Sequence, residues 1–291
     1  ATGELICDGS HDVERRTPLK TGGPTQTAED KFDSVDLDPE NHWPRHAVAN
    51  AILAHSLIRS FPEVDEERTA VTGISWGGYT TCITASVDPR FKAAVPVYGC
   101  GFLYEGESVQ KPSIDKLTPA SREKWIALYD PSRHLPCCHV PLFFVNGTHD
   151  IHYPLDSYAR TIALPTGPVR VRIEPEMPHS SEHGWAPEEI GLFIDSHCRS
   201  ESIPLPKLQA PVVSADSINV PYSSSVPLKL AALHYTADNG PRDQRTWQQL
   251  EAIISNGSIV APPLPPEANT WFINATDERG AMVSTAPVIS E

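Results

Sequence analysis

Thr69–Cys82, TAVTGISWGGYTTC, decides the fold. Its first half, TAVTGIS, is short, apolar and β-branched, and predicts a buried strand. Its second half contains Gly73-Ile74-Ser75-Trp76-Gly77 and runs into YTTCITASVD, whose spacing predicts a helix. A G-x-S-x-G turn between a strand and a helix is tight enough to demand small residues on its flanks. It lifts the serine above the end of the sheet and puts the next residue's N–H where an oxyanion would form. Ser75 is therefore the candidate nucleophile and Trp76 the candidate oxyanion donor. The competing reading is a structural glycine-rich turn, and the strand before and helix after favour the elbow.

The pattern outward from this turn is strand, helix, strand, helix. Upstream, WPRHAVANAILAHSLIRSF predicts a helix with Asn41 as N-cap, Pro44 in the first turn, and Val48, Ala51, Ile52, Leu57 and Ile58 on the buried face. Residues 8–41 are polar and aperiodic and predict a long irregular segment. Downstream, FKAAVPVYG, HVPLFFVNGTHD and PVRVRIEPEM predict strands, with helices in LDSYARTIAL and APEEIGLFIDSHC. The expected fold class is α/β, a mainly parallel sheet with helices on both faces, over residues 1–200. Past the proline-rich SIPLPKLQAPVV, the runs PLKLAALHYT, GSIVAPPLP, NTWFINATD and AMVSTAPVI are short, alternating and separated by turns. Residues 201–291 are therefore expected to form a small all-β sandwich.

Composition narrows the function. The 291 residues carry 23 basic and 37 acidic side chains, a formal charge of −14, and both parts of the chain are net acidic, which argues against a nucleic-acid partner. No apolar run is long enough for a membrane-spanning helix. The six cysteines, Cys7, Cys82, Cys100, Cys137, Cys138 and Cys198, show no paired zinc spacing and read as buried free thiols. Asn146, Asn256 and Asn274 each begin N-x-S/T, a weak signal here, because a glycan on Asn146 would obstruct the neighbouring site.

A serine hydroxyl needs a base and an acid to orient that base, and in this kind of sheet they follow in the order acid, then histidine. Asp150 lies just past the LFFV strand and is the expected acid, with Asp156 as the substitute. His179 follows PVRVRIEPEM directly and is the expected base. His183, four residues on, is expected to cover the site, and His149 is expected to point away from it. Residues 101–136, with Tyr104, Trp125 and Tyr129, are expected to shape the substrate pocket unless these aromatics are ordinary packing.

With those residues in place, the chain resembles the α/β-hydrolase superfamily. More narrowly it resembles the bacterial acetyl xylan esterase and dienelactone-hydrolase-like group, near the serine peptidases that share the fold. The resemblance runs from about Gly22 to Cys198 and rests on GGPTQTAEDKF, HAVANAILAHSL, TGISWGGYTTC, DPRFKAAVPVYGCGF, NGTHDIHYPLDSY and MPHSSEHGW. It implies Ser75, Asp150 and His179 as nucleophile, acid and base, and an immunoglobulin-like sandwich as the C-terminal appendage. Members carry several strands and an oxyanion loop before the position where this chain opens, Ala1-Thr2-Gly3. GELICDG then resembles the strand just before GGPTQT. The expected sheet is short of its first strands, to be completed by upstream residues or by a second copy of the chain, or left without that half-site.

The leading functional expectation is a serine esterase acting on small acyl esters, acetylated carbohydrates among them, with no metal and no cofactor. The runner-up is a peptidase on the same fold. A third reading is a non-catalytic binding protein whose sandwich would expose aromatics among Tyr222, Tyr235, Trp247, Trp271 and Phe272.

Overall fold

The structure, a computed structural model, describes residues 23–255 and 257–290, together with the backbones of two short strands, β1 (Glu4–Ile6) and β2 (Arg16–Pro18). Cys7, Asn256 and residues 8–15 and 19–22 of the irregular segment expected over 8–41 lie outside these residues, while its later part is described and carries short helical turns at Ala28–Lys31, Asp33–Asp36 and Pro39–Asn41. β1 pairs antiparallel with β2 in a two-stranded sheet of their own. Glu4–Ile6, within the GELICDG run that resembles the strand just before GGPTQT, pairs with β2 and not with the main sheet.

The main sheet has four parallel strands in the order β3 (Ala70–Ile74), β4 (Ala93–Val97), β5 (Leu142–His149), β6 (Val169–Pro178). β4 is buried throughout and β5 is buried up to His149, as continuous apolar runs covered on both sides should be. β3 is only half-buried, against the expectation of a fully buried strand, because it is an edge strand among the described residues. Ahead of it lie α1 (Ala28–Lys31) and α2 (Trp43–Arg59). α3 (Trp76–Val87) links β3 to β4. Between β4 and β5 stand α4 (Lys111–Asp115) and α5 (Pro119–Tyr129), and α6 (Leu155–Ile162) leads from β5 to β6. Two further helices follow β6: α7 (Ser181–Trp185), a turn the sequence pattern did not suggest, and α8 (Glu189–Cys198).

The capping and facing of α2 differ from expectation. His42, not Asn41, is its N-cap, without a side-chain cap bond. Its buried residues are Trp43, Pro44 and His55, while Leu53, Leu57 and Ile58 are at least half exposed. The inward face is set by a polar lock. His55 Nδ1 lies 2.8 Å from Asp88 Oδ2 and its Nε2 lies 2.8 Å from Thr69 Oγ1, with Phe91 stacked on the ring. Burial alone would raise the Asp88 pKa, but hydrogen bonds from Arg90 and His55 outweigh it and hold the carboxyl well below its usual range.

Beyond residue 205 the chain forms two five-stranded antiparallel sheets. One contains β7 (Lys207–Leu208), β8 (Val212–Val213), β9 (Ile218–Ser223), β12 (Ile253–Ser255) and β13 (Ser258–Ala261). The other contains β10 (Leu228–Thr236), β11 (Gln248–Glu251), β14 (Thr270–Asp277), β15 (Met282–Ser284) and β16 (Val288–Ile289). Ile218, Val220 and Ile259 from the first meet Leu233, Trp271 and Ile273 from the second in one core. Tyr235, Trp271 and Phe272 are buried, so three of the five aromatics expected as an exposed platform are packing residues.

This β region does not hang from a flexible linker. Phe272 packs with Leu155, Val171 and Ile173 in a small cluster that crosses the junction. The outer edge of β6 is hydrogen-bonded by side chains: Ile173 N–H donates to Ser284 Oγ (2.7 Å), and Asn274 Nδ2 donates to Ile173 C=O (3.1 Å). An edge strand that would otherwise show bare backbone to a neighbour is thereby satisfied.

Candidate active site

The site begins with close backbone packing behind the elbow. A Cβ on Gly73 would sit 2.5 Å from the Gly77 backbone, and one on Gly78 would sit 2.2 Å from Val97 O. A Cβ on Gly77 would meet nothing within 4 Å, so the steric demand falls on Gly73 and Gly78 rather than on Gly77, the second flank of the motif. Ser75 itself takes φ 59°, ψ −121°, a left-handed backbone unusual for a side chain, and its N–H donates to Val97 O at 3.0 Å. Strain of this kind costs about 1–3 kcal/mol and persists only where the surroundings impose it. Trp76 is the first residue of α3, so its N–H has no acceptor within the helix.

Three side chains from three strand ends meet here. Ser75 Oγ donates to His179 Nε2 at 2.9 Å, and His179 Nδ1 donates to Asp150 Oδ2 at 3.1 Å. Asp150 is fully buried, while the His179 side chain keeps 18% of its surface exposed. The Asp150 carboxylate is held in place by its own turn, since its Oδ1 accepts the N–H groups of His152 (2.7 Å) and Tyr153 (3.0 Å). The segment carrying His179 is held from the other side. Glu176 N–H donates to Thr148 Oγ1 (2.7 Å), and Tyr98 Oη donates to Pro178 C=O (2.9 Å) with its ring 4.6 Å from the imidazole.

The other residues singled out from sequence lie elsewhere. Asp156 is in the first turn of α6, 3.4 Å from Arg242. His183 is exposed on α7, where its ring bonds Ser180 Oγ. Trp125 is fully buried, packs on Phe32 and donates Nε1–H to Lys31 C=O, and Tyr104 is buried with Arg122 over its ring. Tyr129 is also buried, and its hydroxyl bonds His42 Nδ1. These aromatics from residues 101–136 pack the interior. His149 turns away, its Nε2 2.8 Å from Arg245 C=O in the β region. Of the described cysteines, Cys82, Cys100 and Cys138 are buried, Cys137 is exposed and Cys198 is half-buried, so the expectation of buried thiols holds for three. Asn146 and Asn274 are both buried, which closes them to a glycan in the folded chain.

Two residues of the site escaped the sequence reading. The His152 ring lies 4.4 Å from that of His179, and the Tyr153 ring lies 5.9 Å from it, nearly parallel. Burial, and then the neighbouring His179, lower the pKa of His152. The available signal was the spacing: residues two and three beyond an aspartate at a strand end are those whose amides its carboxylate captures.

Residues 39–186, from just before α2 to α7, match the prolyl oligopeptidase family. The chain belongs to that family of serine hydrolases. Among solved structures, the acetyl xylan esterase from Paenibacillus sp. R4 is 21% identical, with 55% of each chain covered and a TM-score of 0.49. Acetyl xylan esterase 1 from Thermoanaerobacterium sp. JW/SL YS485 is 18% identical, with 60% of this chain and 59% of that one covered and a TM-score of 0.48. The acylaminoacyl peptidase of Pyrococcus horikoshii is 21% identical, with 51% and 27% covered and a TM-score of 0.44. The chain spans less than two thirds of each. The family is thus the one named for peptidases, on the fold that the sequence pattern implies.

Proposed function

We propose that the protein is a serine esterase that cleaves small acyl esters, acetylated carbohydrates among them, through an acyl-enzyme on Ser75. The observation that carries this reading is the continuous relay from Ser75 Oγ through His179 to a buried Asp150. In acylation, His179 Nε2 takes the Ser75 proton as Oγ attacks the ester carbonyl, then gives it to the departing alcohol. Asp150 fixes the tautomer that leaves Nε2 free to accept, and stabilises the imidazolium that forms. Trp76 N–H, at the positive end of α3, is the donor nearest the developing oxyanion.

Esters are the substrates that ask least of such a site, because an alkoxide leaves more readily than an amide nitrogen. The rings of Tyr98, His152 and Tyr153 crowd the His179 imidazole, which favours a small acyl group. Two clefts reach chain neighbours of Ser75 and His179, one of 520 Å³ lined by Met177, Pro178 and His183 and one of 460 Å³ lined by Trp43, Trp76 and Gly77, and neither is lined by Ser75, Asp150 or His179 themselves. A third and larger cleft, between Glu174–Glu176 and the β region, contains none of Ser75, Asp150 and His179.

Membership of a family named for oligopeptidases favours a second reading, a peptidase using the same acyl chemistry. Side-by-side hydrolysis of p-nitrophenyl acetate, an acetylated xyloside and a panel of peptide p-nitroanilides separates the two. The esterase reading expects Ser75-dependent turnover of the esters at well above the anilide rate. The reverse order would replace it with the peptidase, and equal rates in Ser75→Ala would sink both.

A further inference from the structure

Tyr153 belongs to no step of the relay, yet it is fastened to all of it. Its N–H donates to Asp150 Oδ1, and its C=O accepts from the buried Asn146 Nδ2 at 2.8 Å. Its ring lies nearly parallel to that of His179, inclined by 24°. The side chain is fully buried, and the hydroxyl oxygen makes no hydrogen bond of good geometry among the described residues. The ring that Tyr153 stacks on is the imidazole whose Nε2 lies 2.9 Å from Ser75 Oγ; burial pushes the phenol pKa up, and the Ser75 side chain is among the neighbours that draw it down. A phenylalanine would fill the same space without burying an orphaned polar group, so packing does not account for the hydroxyl.

Donor and acceptor roles follow from the neighbours. Ser75 spends its proton on His179, which leaves only oxygen lone pairs to face the phenol. Burial pushes the Tyr153 pKa well above its ordinary value, so the phenol keeps its proton, and toward an oxygen that offers only lone pairs it is the donor.

We propose that Tyr153 O–H is a donor held in reserve for Ser75 Oγ, engaging it as negative charge gathers on that atom. The role rests on Ser75 being the nucleophile. In acylation the Oγ proton passes to His179 Nε2, Oγ bonds the carbonyl carbon, the bond from that carbon to the alcohol oxygen breaks, and the alcohol leaves with the proton from Nε2. In deacylation a water gives one proton to Nε2 and bonds the acyl carbon, the acyl–Oγ bond breaks, and Oγ recovers the proton from Nε2. Tyr153 keeps its own proton throughout and acts on Oγ at the two moments when the oxygen is anionic. The orphaned hydroxyl of the resting protein is then a group whose partner exists only in the transition states.

Tyr153→Phe removes that hydroxyl alone. Three quantities are measured on wild type, Tyr153→Phe and Ser75→Ala: the rate of covalent labelling by a fluorophosphonate, kcat and KM for p-nitrophenyl acetate, and Tm. For Tyr153→Phe, labelling rate and kcat should both fall about 10–100-fold, the loss expected for one donor to a charged atom. KM should stay nearly unchanged and Tm should be equal or higher, because a buried orphan has gone. Loss of activity with rising stability is a pattern that damage to the fold does not produce. Should Tyr153→Phe fold poorly, 3-fluorotyrosine at 153 keeps the donor and strengthens it, so labelling at or above the wild-type rate supports the role and a fall overturns it. Labelling and kcat within twofold of wild type in Tyr153→Phe, with Ser75→Ala inert, would overturn the Tyr153 role alone. Wild-type labelling in Ser75→Ala would overturn the nucleophile assignment and the Tyr153 role with it.

Discussion

At the scale of single residues, the site depends on which atom of Asp150 each neighbour uses. Oδ1 is engaged by two backbone amides and Oδ2 by His179. An asparagine can keep its oxygen on the amides and must then turn its NH₂ toward Nδ1, which favours the tautomer with Nε2 protonated. Asp150→Asn should therefore lower kcat on p-nitrophenyl acetate by about 10³–10⁴-fold while the far-UV spectrum and Tm change little. A loss of less than tenfold would mean that Asp150 does not orient the base. The residues themselves were legible because chain order restricts them: one aspartate and one histidine stand directly past the two later strands. His152 and Tyr153 were not, since their placement follows from the turn that Asp150 nucleates and from no periodicity. The sequence leaves Trp125 open between pocket and packing, because a tryptophan in an aperiodic segment looks the same whether it faces substrate or, as here, donates to Lys31 C=O in the interior.

At the scale of elements, the elbow is held by two close backbone approaches, and only one of them belongs to G-x-S-x-G. Gly73 meets Gly77, whereas Gly78, outside the motif, meets Val97 and Gly99 at the end of β4. Gly78→Ala should destabilise the fold by about 3 kcal/mol or more, as expected when a side chain is forced into backbone. Gly77→Ala should change stability by no more than about 1 kcal/mol, and in the stabilising direction, since alanine is the better helix former and has room. Urea unfolding of the two variants reads the difference, and equal losses would contradict this account of the turn. The strands that border the site were legible from unbroken apolar runs. The inward face of α2 was not, because its apolar residues are spread around the helix and the deciding contact is a buried histidine held by Asp88 and Thr69.

At the scale of the whole molecule, the β region closes the free edge of β6, the strand that leads to His179. Ser284→Ala would leave the buried Ile173 N–H without its acceptor, and should cost about 1–3 kcal/mol in thermal or urea unfolding. If the two parts were joined only by a linker, the loss would be smaller and confined to the β region. The β region also carries a pH dependence. Burial lowers the His234 pKa to about 4, while the unfolded chain titrates it near the ordinary 6.5. The unfolded state therefore binds a proton in that window that the folded state refuses. Stability is fully present above pH 6.5 and should fall by up to about 3 kcal/mol as pH drops through the window to 4. A Tm series from pH 4 to 7 should show that slope, flattened in His234→Phe. The alternating runs made the β region legible, but nothing in them marks Ser284 and Asn274 as partners of a strand a hundred residues earlier. The central claim, a single acylated serine, is tested most directly by the intact protein during turnover of p-nitrophenyl acetate. Rapid acid quenching and peptide mapping should find at most one acetyl group per chain, on Ser75, formed in a burst of p-nitrophenol and absent from Ser75→Ala. Acetyl groups scattered over lysines and histidines, with no burst and no dependence on Ser75, would contradict it.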